Sequence, residues 1–169
     1  MTTHPLTESF GHHVWATCRL IDACLELTPG QLETTVPGTY GSILDTLRHL
    51  VGSDTYYLSS LTAGAVPRID EGTMDLAALR AAMVQDERRW ADVRDRYPDP
   101  EAMVVRRRTN GSEVHAPAGT WLAQAIHHGT DHRSQVCTAL TSLGIEPPGI
   151  DVWDYAWSTG RHFEVPAPA

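Results

Sequence analysis

The sequence contains no lysine, and all 13 of its basic residues are arginine. This absence excludes Schiff-base chemistry on a lysine and the phosphate-binding lysine of a Walker-type loop. The three cysteines, Cys18, Cys24 and Cys137, follow no CxxC pattern, so we expect free thiols that pack as small apolar side chains. A net charge of -8 argues against a general nucleic-acid-binding protein, which needs a basic surface.

Long apolar segments are also missing. No run approaches the ~20 apolar residues that a membrane-spanning helix requires. The first ten residues have neither the basic start nor the apolar stretch of a secretory signal, so we expect a cytoplasmic protein with no membrane partner. The 169 residues, 41% hydrophobic and 20% charged, predict one globular domain over 1–169.

Four long segments repeat apolar residues every three or four positions, which is typical of amphipathic helices. The predicted helices span 6–27, 42–61, 73–97 and 120–143. Between the last two, short extended runs flank Thr109-Asn110-Gly111-Ser112, which predicts a β-hairpin. A short helix over 152–158 places Trp153 and Trp157 at a spacing suited to packing on the other helices. The predicted fold class is all-α, a four-helix bundle with a hairpin between its third and fourth helices.

Nine histidines are the unusual part of the composition. His128 and His132 are four residues apart, so on a helix their Cβ atoms lie about 5–6 Å apart. This spacing allows both rings to bind one metal ion at ~2.0–2.1 Å. Both residues fall at the edge of the apolar face of their helix, whereas His127 points away and is predicted to be exposed.

A two-histidine site is incomplete, because catalytic zinc sites generally use three protein ligands. His49 is the best candidate for the third ligand, since its helix is long enough to run beside 120–143. It lies about 120° from the centre of its apolar face, which fits a polar groove or an exposed position. His115 of the hairpin is an alternative ligand, and Asp54 or Asp131 are candidates to hold a ring nitrogen.

Arg106, Arg107 and Arg108 lie in the first arm of the hairpin. Two interpretations remain open: a solvated hairpin that carries charge, or a flap that contacts an anion, because arginine binds carboxylates and phosphates in a bidentate manner. His13, on an apolar helix face, is predicted to be a buried histidine with a hydrogen-bond partner. GxSxG, GxGxxG and HExxH motifs are absent, so serine-hydrolase, dinucleotide-binding and zincin functions lack support.

Two stretches of the chain resemble the DinB/YfiT-like superfamily. Residues 36–50, VPGTYGSILDTLRHL, resemble its second helix, and residues 126–136, IHHGTDHRSQV, resemble the fourth-helix pattern His-x-x-x-His-Arg-Gly-Gln. Leu143-Gly144-Ile145-Glu146-Pro147-Pro148 and Asp151 continue the similarity, as does the first helix around 13–21. One departure is Ser134, where the family usually has glycine.

The resemblance implies a four-helix bundle in up-down-down-up order and a homodimer. It also implies one divalent transition metal, zinc, nickel or iron, held by His49, His128 and His132. Relatives with known activity include transferases and isomerases that use a low-molecular-weight thiol such as mycothiol or bacillithiol. The expected function is therefore a metal-dependent thiol transferase acting on a small-molecule substrate.

Two other functions are compatible with the same residues: a metal-dependent hydrolase, or a non-catalytic metal-binding protein of a stress response. Arg133 and Tyr56 are the expected substrate-binding residues, and Arg133 together with 106–108 is a candidate to grip carboxylates of the thiol. No catalytic residue is assigned, although Asp54, Asp131 and Tyr56 are candidates for a general base.

Overall fold

The structure, a computed structural model, describes residues 6–165 and 167. Its four long helices are α1 (Leu6–Cys24), α3 (Ile43–Leu61), α4 (Leu76–Arg96) and α5 (Ala118–Ser142). Two short helices, α2 (Pro29–Leu32) and α6 (Val152–Ser158), and a 3₁₀ turn (Glu71–Thr73) lie in the connections. The predicted all-α class is confirmed.

The four long helices form the bundle. α1 and α3 each pack on both α4 and α5. The first two long helices, α1 and α3, therefore lie at opposite corners of the bundle. The core between them consists of the apolar stripes that the sequence predicts, with Leu20, Leu47, Leu58, Leu79 and Leu140 fully buried. Of the described helices, none combines the length and the apolarity needed to cross a bilayer.

Local capping explains where the helices begin and end. The Ser42 side chain accepts the backbone N–H of Asp45 at the start of α3, and Asp75 accepts that of Ala78 at the start of α4. Because Asp75 is the cap, α4 starts at Leu76, three residues after the predicted start at residue 73. α1 ends at Cys24 rather than at residue 27, because Thr28 forms a capping box with Gln31 and starts α2.

The hairpin consists of β1 (Met103–Arg107) and β2 (Glu113–Pro117), paired antiparallel. Gly111 takes a φ of 83° in the turn, a conformation that glycine adopts without strain. β1 contacts α3 and β2 contacts α5, so the hairpin lies across one edge of the bundle where these two helices pack. The predicted hairpin is confirmed.

α6 packs differently from the prediction. Trp153 and Trp157 are 69% and 56% exposed, so the prediction that they pack on the bundle is wrong. Tyr155, on another side of the same helix, contacts α1 instead. Its hydroxyl occupies the space that a side chain at Gly11 would need, because a Cβ there would lie 2.3 Å from the oxygen. Periodicity alone does not identify which face of so short a helix is covered.

Candidate metal centre

Three histidines from two neighbouring helices face one another. His49 lies in the middle of α3, and His128 and His132 lie one turn apart in α5. The Nε2 atom of His128 is 3.2 Å from that of His49 and 3.1 Å from that of His132. The packing of α3 on α5 therefore brings together the three residues that the sequence singles out, each offering one ring nitrogen.

These nitrogen separations suit one metal ion. With metal–nitrogen bonds of ~2.0–2.1 Å, neighbouring ligand nitrogens lie about 3.3 Å apart in a tetrahedral site and about 2.9 Å apart in an octahedral one. The observed 3.1 and 3.2 Å fall between these values. The donor set consists of imidazoles, which zinc, nickel and iron all accept.

Gln135 fixes the orientation of one of the rings. Its Oε1 atom lies 3.0 Å from Nδ1 of His132 and accepts the backbone N–H of Tyr40 at 3.0 Å. Since an amide oxygen only accepts, the His132 proton lies on Nδ1, which leaves a lone pair on Nε2. This is the arrangement of a metal-binding imidazole with a partner behind it. In contrast, the buried Nδ1 atom of His128 has no hydrogen-bond partner among the described residues.

Aromatic rings form the walls of the site. Tyr40 stacks on His49 with ring centroids 4.0 Å apart and an interplanar angle of 7°, and it meets His132 edge-on at 5.5 Å. Tyr57 meets His128 edge-on at 5.7 Å from the other side. Tyr40 is 56% exposed, so it is the outer wall of the site. The histidines are thus held in place by packing as well as by hydrogen bonds.

The surroundings of His49 and His128 favour the neutral imidazole. Burial lowers the pKa of His128 to about 4, and the neighbouring His132 and His49 add to the effect. Burial, followed by His132, also lowers the pKa of His49. Because only a neutral imidazole offers a lone pair to a metal, these shifts keep the ligating form at neutral pH.

Several other candidates from the sequence lie elsewhere. His115 is exposed and pairs with Glu113 on the hairpin, and Asp131 is exposed on α5. Asp54 is buried but does not hold a ring nitrogen of the three histidines, because its Oδ2 atom lies 2.7 Å from Nε2 of His13. The predicted exposure of His127 and the predicted burial of His13 are confirmed.

Arg133 lies on the α1 side of α5, in a buried network with His13 and Asp54. Its Nη1 donates to Nδ1 of His13 at 3.0 Å and to the hydroxyl of Thr17 at 3.2 Å. His13 accepts on Nδ1 and therefore donates from Nε2 to Asp54. Arg133 is only 3% exposed. Burial lowers its pKa to about 10, so the guanidinium stays charged at neutral pH. Arg133 also lines a cavity of about 510 Å³ between α1, α5 and the start of α6, and its expected role in substrate binding stays a prediction.

Two glycines make this arrangement possible. A Cβ at Gly129, between the two α5 histidines, would lie 2.3 Å from Cε1 of His13. A Cβ at Gly52 would lie 1.4 Å from a carboxylate oxygen of Glu71, so glycine allows that side chain to rest directly on α3. By contrast, Ser134 is exposed, and its side chain needs no space in the core.

A groove of about 470 Å³ opens beside His49. Tyr40, Arg48, His49 and Glu71 lie in its walls. Burial raises the pKa of Glu71, against a smaller lowering by Arg68. Sequence reasoning missed Glu71, Tyr40 and Gln135 as site residues. Only Gln135 has a local signal, its position three residues after His132 on the same helix.

The bundle and its three converging imidazoles define a class of protein, a helical bundle with a candidate mononuclear metal site. A family model described as the DinB family matches residues 1–166, and the chain belongs to this family. No curated protein matches the chain. The resemblance seen in residues 36–50 and 126–136 is thereby confirmed at the level of the family.

Proposed function

We propose that this protein is a divalent-metal-dependent transferase that uses a low-molecular-weight thiol of the mycothiol or bacillithiol type. The observation that supports it most is the convergence of three Nε2 atoms, from His49, His128 and His132, beside an open groove. A divalent ion held by three neutral imidazoles keeps its full charge and has free positions, where it lowers the pKa of a bound thiol or water.

The protein's own residues orient the site. Gln135 holds His132 and the Tyr40 backbone, and Tyr40 in turn covers His49. The groove gives a small molecule access to His49. Tyr56, two turns beyond His49 on α3, remains the proposed substrate-binding residue.

Metal content is the first test. Protein purified without an affinity tag should carry about one divalent ion per chain, measured by elemental mass spectrometry. His128→Ala should lose that ion, and His127→Ala should retain it, since His127 is exposed on the same helix. A metal-free wild type, or equal loss in both variants, would contradict the proposal.

Activity is the second test. With chlorodinitrobenzene as a model electrophile, the thiol sulfur attacks the ring carbon and a carbon–sulfur bond forms. The carbon–chlorine bond breaks, chloride leaves with the electron pair, and the thiol proton goes to solvent. Rates should depend on the metal and on the thiol, and should fall to background in His128→Ala. If every pairing of metal and thiol stays at background, a non-catalytic metal-binding role in a stress response is favoured instead.

Glu71 favours metal-dependent hydrolysis as a second candidate. Its carboxylate lines the groove beside His49, and burial raises its pKa, which suits a group that accepts a proton from water. Glu71→Gln should then abolish ester hydrolysis while metal content stays unchanged, with the exposed Glu33→Gln as the control. Full hydrolytic activity in Glu71→Gln would eliminate this candidate.

Two properties stay predictions of the resemblance and of the N-terminal sequence. A homodimer should appear in sedimentation equilibrium as twice the chain mass of 18.6 kDa. A cytoplasmic location should appear on fractionation of the source cells.

A further inference from the structure

A second cavity, of about 550 Å³, lies where α3 ends and the hairpin crosses it. Tyr56, Ser59 and Ser60 of α3 form one wall, Arg68 of the following loop another, and Arg106 and Arg107 of β1 a third. No aspartate or glutamate lines this cavity among the described residues. For a chain with a net charge of -8, this is an unusual concentration of positive charge.

Among the described residues, only one of the three guanidinium groups, that of Arg107, forms an ion pair. The Cζ atoms of Arg68 and Arg106 lie 5.1 and 4.7 Å from the ring centroid of Tyr56. Within the part of the chain that the structure describes, neither makes a salt bridge, whereas Arg107 pairs with Glu113 at 2.9 Å. The Tyr56 ring thus holds two guanidinium groups beside the cavity with their N–H donors uncommitted.

The hydroxyl groups on the α3 wall add to these donors. In the described residues, the hydroxyls of Tyr56 and Ser59 have no protein hydrogen-bond partner, whereas Ser60 donates to the Tyr56 carbonyl. Guanidinium and hydroxyl donors in a cavity whose described lining holds no carboxylate form a site suited to an oxyanion.

The cavity lies on the same side of α3 as the metal centre. His49 and Tyr56 are seven residues apart, which on a helix means almost the same face and a rise of about 10 Å. Tyr57 connects the two sites, because its ring is 5.5 Å from Tyr56 and 5.7 Å from His128. The separation of the two sites along α3 is thus about the length of one small molecule.

We infer that this cavity binds the carboxylate or phosphate end of the substrate whose reactive end lies at the three histidines. The bidentate fork of Arg106 and the donors of Arg68, Tyr56 and Ser59 are the groups that recognise the oxyanion. The binding of the anion stands independently, but its assignment to the far end of a thiol rests on the function proposed above.

Anion binding is tested first on metal-free protein, with succinate and inorganic phosphate as separate probes in isothermal titration calorimetry. The Arg68→Gln/Arg106→Gln double variant should bind the preferred probe about tenfold more weakly or worse. Arg108→Gln is the matched control, because this residue lies in the same hairpin, is exposed, and does not line the cavity. No binding by wild type, or equal weakening in the control, would overturn the inference. Urea unfolding of each variant verifies that it is folded.

The link to the metal centre is tested on cobalt-loaded protein with two thiols of equal length, mercaptooctanoic acid and mercaptooctanol. Thiolate-to-cobalt absorption should show about tenfold tighter binding of the acid, and the Arg68→Gln/Arg106→Gln variant should remove this advantage. Equal affinities in wild type would show that the cavity does not serve this ligand and overturn the assignment. Absence of the absorption with both thiols would refute the thiol chemistry instead, while the calorimetry still decides the anion site.

Discussion

The two polar clusters on either side of α5, three histidines on one side and His13 with two charged residues on the other, differ in burial and in charge. Toward α3, His128 and His132 meet His49 at a groove, with ring nitrogens facing ring nitrogens. Toward α1, Arg133 and Asp54 hold His13 between a cation and an anion, all of them buried. Imidazoles serve both clusters, and the adjacent α5 residues His132 and Arg133 belong one to each.

The groups that contact its two ring nitrogens decide the role of each histidine. Both nitrogens of His13 are satisfied, one by a guanidinium and one by a carboxylate, so this residue is part of the structure. The lone pairs of the other cluster converge, and a cation is the partner that relieves their repulsion. The buried network should therefore govern stability, and the groove cluster should govern metal binding.

The largest expected effect is that of breaking the buried network. Asp54→Ala leaves Arg133 charged and without its counter-ion, and should lower the free energy of unfolding by about 3–5 kcal/mol. Asp131→Ala, an exposed aspartate on α5, should change it little. Urea denaturation of metal-free protein measures both. Equal stability of the two variants would mean that the buried ions contribute no more than surface charge.

A second carboxylate beside this network makes it sensitive to pH. Burial raises the pKa of Asp86 to about 7, against the lowering effect of Arg89 at 2.8 Å. Because the folded state then retains a proton that the unfolded state has released, stability should fall as pH rises from about 4 to about 7. Asp86→Asn should remove up to about 4 kcal/mol of that decline and be more stable than wild type at neutral pH. If the stability of the variant fell more steeply with pH than that of wild type, the prediction would be contradicted.

Metal should stabilise the folded protein only through the three-histidine cluster at the groove. At a zinc concentration about 100 times Kd, the free energy of unfolding of wild type should rise by about 2.7 kcal/mol. His128→Ala should show no rise, and its metal-free stability should stay close to wild type, because the buried Nδ1 of His128 has no hydrogen-bond partner among the described residues. Thermal unfolding with and without zinc measures this. A large loss of metal-free stability in His128→Ala would assign the cluster a structural role.

The smallest expected effect concerns the residue behind the ligands. Gln135→Ala frees the His132 ring and should weaken metal binding by about 10–100-fold. Gln85→Ala, an exposed glutamine on α4, is the matched control. Competition with a chromogenic chelator measures the affinity. Unchanged affinity in Gln135→Ala would show that packing against Tyr40 is sufficient to orient His132.

Sequence reasoning recovered most of the fold, because helices and the hairpin follow from local periodicity and turn residues. It failed at α6, where Tyr155 packs on α1 while Trp153 and Trp157 remain exposed. Of the site, the pair His128 and His132 followed from spacing within one helix, but the position of His49 on its helix was also compatible with exposure. Glu71 carries no signal, since the absence of a side chain at Gly52 is what brings its carboxylate against α3.

The sequence by itself determined the amphipathic helices, the turn at Gly111 and the one-turn spacing of two histidines. Each of these depends on neighbours within a few residues, whose geometry the backbone dictates. Only the tertiary structure decided that His49 meets that pair, that Gln135 holds His132, and that Arg133 faces α1. These contacts depend on which helices pack together and on which side chains burial leaves without water, so they appear only when the bundle is assembled.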